Sequence, residues 1–232
     1  MTALLASLAP VLIILFYIYF RDKYEKEPLG MLIKALLLGV IIVLPVIFLE
    51  RLLMSFMPQS GRVAAAAWHA FIVAGVSEEL FKFLALYLLI WKSPSFNEKF
   101  DGIVYAVFVS LGFAGVENVL YVMDGGMQTA LVRALTAVPA HAIFGITMGY
   151  YLGIAHMYKE LRSSYLMRAL LIPILLHGIY DFILMVEVDW LLLLFLPFVI
   201  ALYIMGMKKM KVLSDTSIFK PIEEEGQDHL LN

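Results

Sequence analysis

Seven ionisable side chains stand where an apolar chain should have none, and their types and spacing suit acid–base or metal chemistry. Glu78, Glu79 and Lys82 lie in "VSEELFKFLALYLLIW", Glu117 in "FAGVE", His141 in "HAIFG", and His177 with Asp181 in "HGIYD". On a helix Glu78 and Lys82 share a face, as do His177 and Asp181, because residues four apart are neighbours; Glu79 and Lys82, three apart, also meet. A carboxylate can act as general base toward water, and an imidazole held by a carboxylate can pass on a proton. The same groups could form a proton relay. Two histidines with Glu78 or Glu117 could instead hold Zn²⁺ and leave a position for water. No H-E-x-x-H is present, so zinc ligands would have to be gathered from three or four separate segments.

The elements that must position these groups are membrane spans. The chain has 232 residues, of which 62% are hydrophobic and 16% charged. A soluble domain carries about 25% charged residues, so the composition points to an all-α, polytopic membrane bundle of one domain. A net charge of −2 and the lack of a basic stripe give no reason to expect nucleic acid as a partner; the expected partner is the lipid bilayer. With no cysteine, disulfides, thiolate catalysis and Cys-based metal sites are excluded. Seven stretches are long enough to span: 3–20, 30–56, 64–91, 101–123, 128–155, 166–187 and 190–207.

Arg21, Asp22 and Lys23 follow the first stretch and no charged residue precedes it, the pattern of an anchor with its N-terminus outside. Lys and Arg counts agree. One side holds Arg21, Lys23, Lys26, Lys92, Lys99, Lys159, Arg162, Arg168, Lys208, Lys209, Lys211 and Lys220; the other holds little beyond Arg51, Arg62 and Arg133. That asymmetry predicts N-out, C-in. The membrane domain is expected over 1–211, and 212–232, with "PIEEEGQD", reads as a polar, mobile cytoplasmic tail.

Spans one, two and seven carry nothing comparable away from their ends, so the polar groups of spans three to six are expected to meet in one cavity. Depth agrees. Glu78 lies ten residues from Trp68 and His177 ten from Glu187, roughly 15 Å each; His141 lies eight from Arg133, about 12 Å, and Glu117 seven from Asp124, about 10 Å. Pro173 removes one helical hydrogen bond near His177. Gly145, Gly149 and Gly153 are expected to let a neighbouring helix approach closely. His69 and His156 read as interfacial, and Asn118 as a helix-to-helix hydrogen bonder. Taken singly, Glu79 with Lys82 reads equally as a buried ion pair, and His141 as an interhelical bond.

The motifs E-E-x-x-K (Glu78 to Lys82), F-x-x-x-E (Phe113 to Glu117) and H-x-x-x-D (His177 to Asp181), with "HAIFG" between the last two, are in an order that resembles the PrsW intramembrane proteases. These belong to the larger group with the type II CAAX prenyl proteases and the bacteriocin-immunity-type membrane proteases. The likeness takes in "DGIVYAVFVSLGFAGVENVLY" and runs from about "FRDKYEKEP" to the last span. It implies a multi-pass hydrolase of the bacterial cytoplasmic membrane. Such an enzyme makes the first (site-1) cut in a single-span transmembrane anti-sigma factor, on its extracytoplasmic side, and so starts release of a sigma factor in an envelope-stress response. The CAAX-type enzymes show F-x-x-x-H where this chain has Glu117, so that histidine's role does not transfer.

Peptide hydrolysis needs an activated water, a group to hold the oxyanion and a proton donor for the leaving amine. Glu78 or Glu79 is the expected base, Glu78 preferred because Lys82 can pair with Glu79 or sit between the two. His177, oriented by Asp181, would polarise the carbonyl or donate the proton, and Glu117 with His141 would complete the water site. A zinc version would use Glu78, Glu117, His141 and His177. A proton-coupled transporter and a non-catalytic scaffold use the same residues. No inverted repeat or pair of broken helices favours the transporter, and fold alone does not separate a scaffold from an enzyme.

Overall fold

Segments that are apolar on every side leave no face for water, and in lipid their backbone groups must be satisfied internally, which selects helices. The computed structural model describes residues 2–221, and among them there is no strand. Helices α1 (Thr2–Arg21) and α2 (Leu29–Met54) come first. The third apolar stretch is helical in three parts: α3 (Arg62–Ala67), a π-helical section (Trp68–Val76) and α4 (Ser77–Ile90). Then follow α5 (Lys99–Leu135), α6 (Ala137–Met157), a 3-10 turn (Lys159–Leu161), α7 (Arg162–Met185) and α8 (Asp189–Asp215).

Five helical segments are long and apolar enough to cross a membrane by length and composition. The third stretch, divided by its π-helical section, is not among them. The surface fits lipid as solvent: Leu44, Phe48, Leu88 and Leu193 are each more than 70% exposed. Along α5, every residue from Phe100 to Gly115 is buried, which makes that helix the centre of the bundle. Its N-terminus carries a capping box, in which the side chains of Glu98 and Asp101 serve each other's backbone.

Two boundaries differ from the sequence reading. The fifth stretch was expected to start a new helix at 128; instead α5 turns at Gly126 (φ 69°), resumes a helical path to Leu135, and α6 begins at Ala137. Only glycine adopts that left-handed conformation at low cost, so the chain reverses there without leaving the helix-forming register around it. The polar tail was expected from 212. In the structure α8 continues to Asp215, Leu213 and Ser214 are buried, and the Ser217 hydroxyl donates to Glu98. Leu213 packs into the main core, which holds this last turn in place. Residues 222–232, which include most of that tail, lie outside the described residues.

The glycine run of α6 packs as its spacing suggests. A methyl at Gly149 would meet the carbonyl oxygen of Gly102, and one at Gly153 that of Lys99. Helices α5 and α6 therefore touch backbone to backbone, and this seam fixes His141 relative to Glu117. Pro173 lies inside α7, which stays helical on both sides of it.

Candidate active site

Glu78 and Glu79 occupy the first turn of α4, immediately after the π-helical section. Wide π-type turns recur at functional sites, where they redirect side chains. Here the section lies against α7. A methyl at Gly75 would sit 3.2 Å from the Ile174 carbonyl oxygen, and the missing side chain of Gly178 makes room for the Phe71 ring. The close contact carries His177 to Glu79.

Lys82 is fully buried and its ammonium is saturated. It donates to Glu78 Oε2 at 2.9 Å, to Glu79 Oε1 at 2.8 Å and to His141 Nδ1 at 3.1 Å. It also lies 4.4 Å from the centre of the Phe113 ring. Of the two arrangements the sequence allowed for Lys82, the structure has it between both glutamates. On the far side of the imidazole, His141 Nε2 is 2.9 Å from Glu117 Oε2. His177 Nδ1 is 2.9 Å from Glu79 Oε1, and its Nε2 is 3.3 Å from Asp181 Oδ2. Phe144 stacks on the His177 ring with centroids 5.0 Å apart, which fixes the plane of the imidazole.

These groups border a cavity of about 550 Å³. Glu78, Glu117, His141, His177 and Asp181 are on its wall, while Glu79 and Lys82 are buried behind them. All seven side chains singled out from the sequence thus meet in one network. The cavity wall also carries Glu50, Arg51, His69 and Arg133. His69, read as interfacial, is part of this wall. Glu50 has no role in the sequence reading, and Arg133 enters it only in the Lys and Arg count and as a depth marker. The signal available for Arg133 was the preceding glycine pair, Gly125 and Gly126, which lets the chain fold back. Asn118 bridges helices as expected, donating to the Ser7 carbonyl oxygen on α1 at 2.7 Å.

The donors fit a metal ion. Glu78, Glu79, His141 and His177 each offer one atom, all within 4.8 Å of one another. Two imidazoles with carboxylates form a set that suits zinc. Glu79 Oε2 is moreover buried without a hydrogen-bond partner, a lone pair that a cation would satisfy. The four donors that meet within 4.8 Å include Glu79, while Glu117 contacts His141 Nε2 at 2.9 Å and Arg133 Nη2 at 3.0 Å through its Oε2. The Lys82 ammonium contacts three of the four donor residues, so a bound ion and the ammonium would share the same carboxylates.

An all-helical membrane chain with a buried network of glutamates, histidines and a lysine around a cavity has the groups that an intramembrane hydrolase needs. Residues 27–206 match the family model described as "PrsW family intramembrane metalloprotease". The chain belongs to that family. It is 41% identical to "Protease PrsW" of Clostridioides difficile over 213 residues, 89% of each chain. It is 38% identical to the protein of that name in Halalkalibacterium halodurans, over 90% of this chain and 95% of the other. The Bacillus subtilis protein of the same name is 38% identical over 208 residues, 89% of this chain and 93% of the other. No solved structure matches the chain.

Proposed function

We propose that this peptidase makes the first, extracytoplasmic cut in a single-span anti-sigma factor of the bacterial cytoplasmic membrane. In this reading the chain crosses seven times, N-terminus outside, and residues 1–211 form the protease domain. The observation that carries the catalytic part is the split between the two glutamates: Glu78 faces the cavity, and Glu79 lies behind it. The substrate class rests on the motif resemblance.

Glu78 is the general base, placed to take a proton from a water in the cavity. Lys82 holds Glu78 and Glu79 by direct donation and so keeps the base in one orientation. His177 is fixed from both sides by Glu79 and Asp181 and donates the proton to the leaving amine. His141, backed by Glu117, completes the water site. In the alternative, metal-dependent version, Glu78, Glu79, His141 and His177 would hold a zinc ion, which would then supply water activation and carbonyl polarisation in place of the base and donor roles of Glu78 and His177. Phe113 and Phe144 line the same wall and limit the water that reaches it.

The test is cleavage of a single-span anti-sigma substrate co-reconstituted with this protein in metal-defined proteoliposomes. One specific cut is expected with the wild type and none with Glu78→Gln. Chelator added to the wild type then reads out the need for metal. Equal cutting by both proteins would remove Glu78 as the base.

A further inference from the structure

Arg133 enters the active site from a segment that should have left it. From Glu117 a continuous helix would carry Arg133 about 24 Å further along the axis. Instead the reversal at Gly126 (φ 69°, ψ −157°) returns the last turns of α5. Arg133 Nη2 comes to 3.0 Å from Glu117 Oε2, and Nε donates to Asn118 Oδ1 at 2.8 Å. The guanidinium also lies 4.0 Å from the centre of the Tyr121 ring. Asn118 is itself tied to the Ser7 carbonyl oxygen. A planar cation held by a carboxylate, an amide and an aromatic face is fixed in position as a lysine would not be.

We infer that Arg133 is a positioning residue, which acts through Glu117 to hold the imidazole of His141 in place. This deepens the proposed hydrolytic reading and rests on it for its consequence, though not for its geometry. An ammonium can only donate, so His141 Nδ1, 3.1 Å from Lys82 Nζ, accepts. An ionised carboxylate can only accept, so His141 Nε2, 2.9 Å from Glu117 Oε2, donates. Arg133 anchors the Glu117 oxygen that receives this proton. Lys82 already donates to the His141 Nδ1 lone pair, so the tautomer follows from Lys82, and Arg133 fixes the Glu117 oxygen on the opposite side of the ring. Carboxylates behind a ligating imidazole fix its tautomer and orientation, and their loss typically lowers activity or metal affinity by about 10–100-fold. Here that partner is itself held by an arginine delivered through a chain reversal.

The experiment is ¹⁵N NMR of histidine-labelled protein in detergent with chelator present, comparing wild type and Arg133→Gln. His141 is assigned by its loss in His141→Gln. Both proteins are expected to show His141 protonated on Nε2, the tautomer that Lys82 imposes, and the variant to show a displaced Nε2 signal, because the Glu117 oxygen it donates to has lost its anchor. In the proteoliposome assay the variant should lose about 10–100-fold in kcat with KM nearly unchanged, and Arg133→Lys should recover part of that loss. An unchanged His141 spectrum in folded Arg133→Gln overturns the assignment. If the Gln variant does not fold, Arg133→Lys, which keeps the charge but loses the bond to Asn118, is read the same way. A displaced His141 Nε2 signal supports the inference, and an unchanged spectrum overturns it. If the wild type cuts no substrate, the spectra still decide the role of Arg133, and the proposed activity alone falls.

Discussion

The two ends of α5 both bury acids, and they neutralise them differently. At the Glu117 end the carboxylates meet fixed cations or imidazoles: Lys82 between Glu78 and Glu79, Arg133 and His141 on Glu117, His177 beside Asp181. At the Lys99 end Asp22, Glu27, Glu98 and Asp101 are buried together with neutral donors. The Tyr105 hydroxyl donates to Glu27, the Ser217 hydroxyl to Glu98, and the backbone of Asn97 and Glu98 to Asp101. Lys26, next to Glu27 in sequence, donates to the carbonyl oxygens of Tyr19 and Asp22 rather than to a carboxylate. Burial therefore pushes the Asp22 carboxyl up to about 7, with the charge of Glu27 adding to it and Lys26 opposing. Burial raises Glu27 and Glu98 in the same way. One end holds its acids with cations, while at the other burial shifts Asp22, Glu27 and Glu98 toward their protonated forms. Only the first arrangement leaves a carboxylate ready to take a proton from water.

The largest effect should come from removing one acid at each end. Glu78→Gln is expected to reduce cleavage by about 10²–10⁴-fold, the usual contribution of a general base, with thermal stability nearly intact. Glu27→Gln should leave cleavage within a factor of about two. A comparable loss from both, read in the same proteoliposome assay, would mean that the two ends are not functionally distinct.

Next comes the cation itself. Lys82→Met leaves Glu78 and Glu79 buried without their partner, a change that costs roughly 3–5 kcal/mol in buried ion pairs. The melting temperature in detergent with chelator should fall well below that of the wild type. Zinc should raise it more in the variant than in the wild type, because the ion no longer shares its carboxylates with an ammonium. An equal zinc shift in both would show that Lys82 and a metal do not compete for these oxygens.

Gly149→Leu should separate α6 from α5 and move His141 away from Glu117, lowering both activity and melting temperature, while an alanine at Gly30, which has open space around it, should change neither.

The smallest effect is a pH dependence that belongs to the loop end. The Asp22 carboxyl is raised from 3.8 to about 7 in the folded protein, so its stability contribution is complete below the lower value and is lost as pH rises through the upper one. Melting temperature should therefore decline with pH over that interval, and Asp22→Asn should flatten the decline. An Asn variant with the same slope as the wild type would assign it to other groups.

Much of the site was legible in the sequence because charge in an apolar helix is rare and expensive: roughly 2.5–3.5 kcal/mol at the bilayer centre. Glu78, Glu117, His141 and His177 stood out on that ground alone, and the i, i+4 spacing of His177 and Asp181 gave their contact correctly. The all-helical, multi-pass architecture followed from apolar length. The residues that stayed hidden lay at the span ends. There Arg133, Glu50 and the acids of the Lys99 end look like ordinary solvated charges until the fold shows what covers them. Residue type alone could not show that an arginine stands 3.0 Å from a Glu117 oxygen. The reversal at Gly126 looked like a simple gap between two apolar runs, and the π-helical section has no periodic signature at all.

That π-helical section, Trp68–Val76, sets a rotational phase. Every residue added to or taken from an α-helix turns the downstream side chains by about 100° around the axis. The wide turns absorb part of that rotation just before Ser77, so Glu78 looks into the cavity while Glu79 faces His177. A single-residue deletion between Trp68 and Val76 would keep every catalytic side chain in the sequence and point the glutamate pair toward a different neighbour.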